Sequence, residues 1–131
     1  LGDAHEAEDA VQDAFLRYWE KAPDFPDAAH ERAWLLAVTV NGCKSRLRSP
    51  WRRRTAPLLD TYPAADREER ELLEAVQALP PRDRAVIHLY YYEGYQTAEI
   101  AAMTGQREGT VRSRLSRARD KLRRLLKGEL E

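Results

Sequence analysis

The sequence has one cysteine, three histidines and no long run of apolar residues, and each scarcity excludes a class of protein. Cys43 has no thiol partner in the chain, so no intrachain disulfide can form and we expect a small, reduced core thiol. His5, His30 and His88 are scattered and not grouped as metal ligands are, so we predict no metal site and no cofactor. No apolar run approaches the roughly 20 residues that cross a bilayer, so we predict no membrane insertion.

Sequence signatures of catalysis are missing as well. The chain has no glycine-rich phosphate loop, no nucleophile elbow and no other catalytic motif. We therefore predict a protein with no enzymatic activity and no small-molecule substrate. The acidic first residues lack the basic and apolar segments of a signal peptide, so we expect a cytoplasmic protein.

The formal net charge of zero hides a strong segregation of charge along the chain. Residues 1–31 hold nine acidic residues against two basic ones, whereas residues 32–54 hold seven basic residues and no acidic one. Residues 55–74 are acidic again, and residues 105–127 hold nine basic residues against two acidic ones. Two basic blocks separated by acidic ones predict two nucleic-acid contacts on one chain, and a different partner for the acidic blocks.

Apolar residues recur at helical spacing through most of the chain, which predicts an all-α fold. We predict two small helical domains, residues 1–54 and 68–131, on either side of a linker at 55–67 that contains two prolines and no sustained period. The first domain is predicted to contain helices at 1–22 and 28–48. The second is predicted to contain four helices, the second of which begins at Pro81 and ends at Gly94.

Two apolar patterns characterise the predicted helices of the first domain. The first predicted helix has a wide apolar face formed by Ala7, Ala10, Val11, Ala14, Phe15, Tyr18 and Trp19. In the second helix, residues 33–38 are almost continuously apolar, so we expect them to be buried on most sides. We expect Trp34 to fill core, with a stacking platform for a base as the alternative.

The last two predicted helices, residues 98–104 and the basic helix after Gly105, have the spacing of a helix-turn-helix. The basic helix is predicted to turn one narrow apolar stripe toward a core, formed by Val111, Leu115, Ala118, Leu122 and Leu125. At about 100° per residue, the opposite side carries Ser113, Ser116, Arg117 and Asp120. Cations occupy both flanks: Arg112, Arg119 and Arg123 on one, and Arg114, Arg117 and Lys121 on the other.

This layout is typical of a helix that enters the major groove, with phosphates met on both flanks and base edges at the centre. Thr110 and the backbone amides near Gly109 lie at the helix N-terminus, which is a natural phosphate site. The alternative is a solvated, salt-bridged surface helix, but that helix would carry interspersed acids that this segment mostly lacks.

Two surfaces of the first domain have two interpretations each. The acidic side of the first helix, formed by Asp9, Gln12, Asp13 and Glu20, is either simply solvated or a docking surface for a basic partner. The basic residues Lys44, Arg46 and Arg48, followed by Trp51 and three arginines, suit a nucleic-acid backbone with a stacked base. A frayed basic linker is the alternative for residues 51–54.

Six blocks follow one another along nearly the whole chain: Glu8-Asp-Ala-Val-Gln-Asp-Ala-Phe-Leu-Arg-Tyr-Trp19, Arg32-Ala-Trp-Leu35 with Asn41, Leu79-Pro-Pro-Arg82, Glu93-Gly94, Glu99-Ile-Ala101 and Glu108-Gly-Thr-Val-Arg-Ser-Arg-Leu-Ser-Arg-Ala-Arg119. In this order, with a short linker and no intervening domain, they resemble a bacterial RNA polymerase sigma factor of the sigma-70 family, extracytoplasmic-function (group IV) type. The resemblance implies an initiation subunit that catalyses nothing and gives core RNA polymerase its choice of promoter DNA. An anti-sigma factor commonly holds such proteins inactive.

The resemblance also implies three sets of site residues. The family's acidic helix docks on the clamp of core polymerase, which maps to Asp9, Gln12, Asp13 and Leu16. The next loop and helix read and open the −10 element, which maps to Asp27, Ala28, Ala29, His30, Asn41 and Lys44, with Arg46 and Arg48 as phosphate contacts. The recognition helix reads the −35 element, which maps to Arg112, Ser113, Ser116 and Arg117; the flanking Thr110, Arg114, Arg119 and Lys121 complete the predicted DNA-binding set.

Three departures from the family pattern carry expectations of their own. The family has a further helix before the acidic one, and this chain begins at Leu1, too late to contain it. Gln106 and Arg107 follow the turn glycine where an aliphatic residue and then Pro, Ser or Thr are usual, so we expect the turn to lack an apolar contact and an N-cap worth about 1 kcal/mol. Gln96 stands where Ser or Thr usually caps, which leaves Thr97 as the substitute cap.

Two other functions compete with this interpretation. A DNA-binding output domain of a response regulator shares the C-terminal four-helix pattern, but it does not explain residues 8–48. A helical adaptor that only binds proteins would show little affinity for DNA at any salt concentration.

Overall fold

The computed structural model describes residues 3–48 and 67–127, and this part of the chain contains six α-helices, so the predicted all-α fold is confirmed. The helices are α1 Ala4–Lys21, α2 Ala28–Leu47, α3 Arg67–Gln77, α4 Pro81–Ile87, α5 Thr97–Thr104 and α6 Glu108–Leu126. The chain divides into two compact units, residues 1–58 and 59–131. The predicted linker, apart from its last residue, and the basic stretch at 51–54 lie outside the described residues.

Both helices of the first unit begin at an aspartate that caps them. Asp3 Oδ1 accepts a hydrogen bond from the Glu6 backbone N–H at 3.0 Å, and Asp27 Oδ1 accepts one from the His30 N–H at 2.8 Å. These bonds satisfy N–H groups that have no partner inside a helix, so each aspartate fixes where its helix begins.

An aromatic cluster joins α1, the following loop and α2. The Trp34 ring centroid lies 6.2 Å from that of Tyr18 and 5.8 Å from that of Phe25, both in edge-on contact. Tyr18 Oη donates to Glu31 Oε2 at 2.9 Å, and this bond to the neutral phenol raises the pKa of Tyr18. Trp34 packs against both rings but stays half-buried, so the prediction that it fills core is borne out only in part.

The expected burial of residues 33–38 is wrong, and the wide apolar face of α1 is only partly covered. Residues 33–38 keep part of their surface exposed, and no residue of α2 is fully buried. On α1 the wide apolar face buries Ala10 and Ala14, whereas the side chains of Phe15 and Trp19 are 60% and 88% exposed. The reason is geometric: α1 and α2 pack against each other along one side, and small alanines form that side of α1.

The second unit surrounds a core with helices on several sides. Val86, Leu89, Ile100 and Val111 are fully buried, and α6 packs against α3, α4 and α5. Burying a side chain of this size contributes roughly 1.5–3 kcal/mol each. The apolar side of helix α6 therefore packs against a core that is shielded from solvent.

Helix α4 continues into a π-helical turn, His88–Tyr92, that the sequence did not predict. The Glu93 N–H donates to the His88 carbonyl at 3.0 Å, five residues back, and Gly94 then ends the helix with a φ of 80°. Leu89 points inward while Tyr91 and Tyr92 are exposed.

The start of α5 is capped differently from the prediction. The Glu99 carboxylate accepts a hydrogen bond from the Gln96 backbone N–H at 3.0 Å. Thr97 is not the substitute cap, because its hydroxyl donates to Glu108 Oε1 at 3.1 Å. That bond ties the first turn of α5 to the first turn of α6.

Candidate nucleic-acid interface

The turn between α5 and α6 holds α6 with its apolar stripe inward. Gly105 has a φ of 68°, in the left-handed region that glycine adopts without a steric cost, and the Gln106 N–H donates to the Ala101 carbonyl at 3.0 Å. Along α6 the predicted stripe is confirmed, since Val111, Leu115 and Ala118 are buried and Leu122 and Leu125 are half-buried.

The outer face of α6 comprises the exposed residues Arg112, Ser113, Ser116, Arg117 and Arg119. Its arginines have only local partners: Arg112 Nη2 lies 2.5 Å from Glu108 Oε1, and Arg117 Nε donates to the Ser113 carbonyl at 3.3 Å. Exposed pairs within one helix contribute about 0.3–0.5 kcal/mol, so a phosphate or a base edge can replace them.

The N-terminus of α6 also faces solvent. Thr110 and Gly109 are exposed, and Arg107 supplies no side-chain hydrogen bond to the first-turn amides, so the expected lack of an N-cap is confirmed. The Glu108 carboxylate shares this turn, where Thr97 and Arg112 partly compensate its charge. Exposed amides at the positive end of a helix favour an anion, so Thr110 stays a predicted phosphate contact.

Arg114 and Lys121 are placed differently from the outer face. Arg114 Nη1 donates to Asp83 Oδ1 at 3.0 Å and Arg114 Nε donates to Gln106 Oε1 at 2.9 Å. Lys121 is half-buried, and its Nζ lies 3.4 Å from the Ala78 carbonyl oxygen. Both side chains contact other parts of the second unit.

The loop predicted to read the −10 element is the cap of α2. Asp27 Oδ1 accepts hydrogen bonds from the His30 backbone N–H and lies 2.7 Å from His30 Nδ1. The backbone bond, followed by the side-chain contact, lowers the pKa of Asp27, so the carboxylate is charged at neutral pH. Ala28 and Ala29 are exposed on the first turn.

The remaining predicted −10 residues separate onto two sides of α2. At about 100° per residue, Asn41, Lys44 and Arg48 share one side, while Arg46 lies about 140° away from Asn41. Arg46 instead forms an ion pair with Asp13 of α1, which was assigned to polymerase docking. The structure thus pairs two residues that were predicted to meet different partners.

The predicted polymerase-docking residues Asp9, Gln12, Asp13 and Leu16 are all exposed and lie on one side of α1, at spacings of three, four and seven residues. The exposed Phe15 and Trp19 adjoin Leu16 on the same helix. This part of α1 therefore combines carboxylates with uncovered apolar surface.

Other kinds of site find little support in the part of the chain that the structure describes. Its residues include no group of three or more His, Cys, Asp or Glu side chains that could hold a metal ion. Its helices include none long and apolar enough to cross a membrane. Burial raises the pKa of the Cys43 thiol, which keeps it protonated and a poor nucleophile.

Comparison with known families assigns both units. Residues 1–53 match the family described as Sigma-70 region 2, and residues 69–122 match the family described as Sigma-70, region 4. The chain is 35% identical over 125 residues to the ECF RNA polymerase sigma factor SigL of Mycobacterium tuberculosis, an alignment that covers 87% of this chain and 71% of SigL. The chain belongs to the sigma-70 family.

Two further sigma factors are similar to this sigma-70 family chain. The ECF RNA polymerase sigma factor SigM of Mycobacterium tuberculosis is 41% identical over 128 residues, covering 94% of this chain and 65% of SigM. The chain thus spans about two thirds of the length of that relative. A solved structure of the sigma factor RpoE in complex with the anti-sigma factor NepR, from Bartonella quintana, matches with a TM-score of 0.79 and 27% identity, over 97% of this chain and 84% of RpoE.

The sigma-70 assignment places the predicted residues in two groups. Region 4 contains α6 with its outer face, and region 2 contains α1 and α2 with the predicted polymerase and −10 residues. Within region 2 the structure brings Asp13 and Arg46 together, whereas within region 4 it separates Arg114 from the outer face.

Two features of this sigma-70 family chain were not predicted from the sequence. The exposure of Phe15 and Trp19 could have been predicted from the sequence, because seven apolar positions on an 18-residue helix are more than one neighbouring helix can cover. The pairing of Arg114 with Asp83 could not have been predicted in this way, since the two residues lie 31 positions apart in the sequence.

Proposed function

We propose that this chain is a subunit that directs core RNA polymerase to promoters for DNA-templated transcription initiation. In this proposal it has no catalytic activity of its own. The observation that carries the proposal is the outer face of α6, where exposed arginines and serines follow one another above the buried Val111, Leu115 and Ala118. Such a surface meets phosphates and base edges in a major groove. We place this activity in the cytoplasm.

In this proposal the second unit reads the −35 element. Arg112, Ser113, Ser116 and Arg117 contact base edges, while Arg119 and Thr110 contact phosphates. Their exposure supports these roles, since each can reach a ligand without breaking the core beneath it.

The first unit reads and opens the −10 element in the same proposal. The α2 cap, Asp27 to His30, and the side of α2 with Asn41, Lys44 and Arg48 face the DNA; Arg46 contacts a phosphate after leaving Asp13. Fixed geometry at the cap supports this role, because two hydrogen bonds hold His30 to Asp27.

Core polymerase docks on α1 through Asp9, Gln12, Asp13 and Leu16. Exposed carboxylates beside an exposed apolar residue suit a partner whose surface is both basic and apolar. We also propose that an anti-sigma factor binds this chain, which the complex of the related RpoE with NepR supports.

The decisive experiment is transcription by purified core polymerase on genomic templates, with and without the full-length protein. We expect promoter-dependent starts that need the protein, and losses of at least about tenfold for Arg117→Ala on the affected promoters. Arg67→Ala, a change at an exposed residue of α3, is the matched control and should retain full activity. If no template gave protein-dependent starts, the proposal would be rejected.

The response-regulator alternative has no observation in its favour. It leaves the first unit without a role, although that unit matches Sigma-70 region 2 throughout residues 1–53.

A further inference from the structure

A chain of polar contacts runs from the helix-turn-helix turn into the second unit. The Thr104 hydroxyl donates to the Ile100 carbonyl at 2.7 Å and accepts from Gln106 Nε2 at 2.9 Å. Gln106 Oε1 then accepts from Arg114 Nε at 2.9 Å, and Arg114 Nη1 donates to Asp83 Oδ1 at 3.0 Å. The contacts connect α5, the turn, α6 and the first turn of α4.

The chain of contacts is shielded from solvent. The side chains of Arg114 and Asp83 are 21% and 13% exposed, whereas that of Arg112, two residues earlier on α6, is 67% exposed. Thr104 is buried. Because an ion pair away from water is screened much less than a surface pair, Arg114 cannot exchange Asp83 for a phosphate at the low cost open to Arg112.

We propose that Arg114 is a positioning residue that sets the rotation of α6 through Asp83 and Gln106, and does not contact DNA. The inference rests on the proposed reading of DNA by α6, and it removes Arg114 from the predicted DNA-binding residues. Gln106 takes the place of the aliphatic residue that usually follows the turn glycine, so in this chain a hydrogen-bonded turn replaces an apolar one.

The guanidinium plane makes this geometry specific. Its Nε–H and Nη1–H point in fixed directions within one plane, so bonds to two residues on different elements define the orientation of the side chain and of the helix that carries it. A helix has a radius of about 5–6 Å with its side chains, so a rotation of about 20° would move the outer face by about 2 Å. That shift is enough to misplace hydrogen bonds to base edges.

The test measures the affinity of the full chain for two duplexes over a range of salt concentrations. One duplex is selected by the wild-type chain from a randomised pool, and the other is the same duplex scrambled. The ratio of the two affinities reports base reading, and the dependence on salt reports the number of phosphate contacts, with a slope of about −0.9 for each contact.

Arg114→Lys is the first variant, because it keeps the charge but cannot make both bonds. We expect the ratio to fall about fivefold or more while the salt slope stays unchanged. A phosphate contact would be retained by lysine, so an unchanged ratio overturns the inference. Arg119→Ala is the control for a phosphate contact and should reduce the slope by about 0.9.

Asp83→Asn is the second variant. We expect it to lower the affinity for the selected duplex, whereas the loss of a negative charge alone would raise that affinity. Removing an acid reduces repulsion of DNA and would strengthen binding to both duplexes alike. We expect instead that affinity for the selected duplex falls and the ratio drops about fivefold or more. Glu71→Gln, an acid of α3 that is paired with Arg67, is the matched control and should leave the ratio unchanged.

The same measurements distinguish a variant that is partly unfolded from a variant in which α6 is folded but wrongly positioned. A variant that merely unfolded in part would lose affinity for both duplexes equally, so its ratio would stay constant, and this result would overturn the inference. Thermal unfolding of each variant fixes a working temperature at which it is folded. If the wild-type chain selected no duplex at all, the proposed function itself would fail; if it selected one and Arg114→Lys kept the ratio, only the positioning role would fail.

Discussion

The described residues of the two units of this sigma-70 family chain bury very different amounts of apolar side chain. In the second, side chains as large as leucine and isoleucine from α4, the π-helical turn, α5 and α6 are fully buried. In the first, the buried apolar residues among those described are Ala10 and Ala14, and α2 has no fully buried residue. Ten described apolar residues are buried in the second unit against these two, which indicates where the free energy of folding is concentrated.

The difference separates two ways of presenting a binding surface. The second unit keeps its core closed and places the outer face of α6 on top, so the residues proposed to bind DNA and the residues that stabilise the unit are distinct. In the first unit, apolar side chains such as Phe15 and Trp19 lie at the surface beside the predicted docking residues. Apolar surface of this kind marks an interaction site more often than isolated exposed residues do.

The largest expected effect contrasts one side chain from each unit. Ile100→Ala empties a fully buried site of the second unit and should reduce its stability by about 2–5 kcal/mol. Trp19→Ala removes a larger side chain that is 88% exposed, so we expect a change within about 0.5 kcal/mol. Urea denaturation monitored by hydrogen exchange at residues of each unit gives both values. Similar losses of unfolding free energy for the two variants would contradict the difference in burial between the two units.

The second expected effect tests whether binding and stability are separate in the second unit. Arg117→Ala should cost about 1–3 kcal/mol of affinity for a selected duplex and alter the preferred sequence, while the unfolding temperature stays the same. Fluorescence anisotropy with matched and scrambled duplexes measures the first, and circular dichroism the second. Equal losses on both duplexes would reject a base-reading role for Arg117.

A third, smaller effect uses the unequal capping of the helices. Arg107 precedes α6 with extended backbone angles and no capping side chain, in contrast with Asp27 before α2. Arg107→Ser supplies a capping hydroxyl and should stabilise the second unit by about 0.5–1 kcal/mol. Thermal unfolding would show the increase, and Arg107→Ala serves as the control that removes the charge without adding a cap.

The smallest expected effect is a pH dependence of the first unit. The pKa of Asp27 is lower in the folded chain than its ordinary value of 3.8, so the unfolded state binds the proton more tightly. The charged Asp27 carboxylate therefore stabilises the folded first unit at pH values above 3.8. This stabilisation is lost as the pH falls through the pKa that Asp27 has in the folded chain. Asp27→Asn should therefore destabilise α2 slightly at neutral pH and hardly at all at about pH 2. An effect of the same size at both pH values would show that the charge of Asp27 is unimportant.

Local patterns in the sequence predicted the elements well and the contacts between them poorly. The spacing of Val111, Leu115 and Ala118 predicted the buried stripe of α6, and glycines at 94 and 105 predicted where helices end, because each depends on neighbours within one or two turns. The partner of Arg114 lies 31 residues away on α4, and helical periodicity carries no information about it.

Burial was predicted least well, for a related reason. Periodicity identifies the apolar side of a helix but not how much of that side a neighbour covers. The wide apolar side of α1 was predicted, but α2 reaches Ala10 and Ala14 and leaves Phe15 exposed. The π-helical turn at His88–Tyr92 was missed because its wider hydrogen bonding has no signature in composition.

The length of α6 has a mechanical consequence. The helix runs without interruption from Glu108 to Leu126, a length of about 28 Å. Other parts of the second unit contact it at two positions along its axis. Arg114 attaches its first half to Asp83, while in its second half Lys121 Nζ lies 3.4 Å from the carbonyl oxygen of Ala78, just after α3. Two points of attachment define a line, so the axis of this rod is set before any DNA arrives. If α6 reads DNA as proposed, the duplex would have to adjust its groove to the helix, and sequences that bend or widen easily would gain affinity at base pairs that no side chain touches.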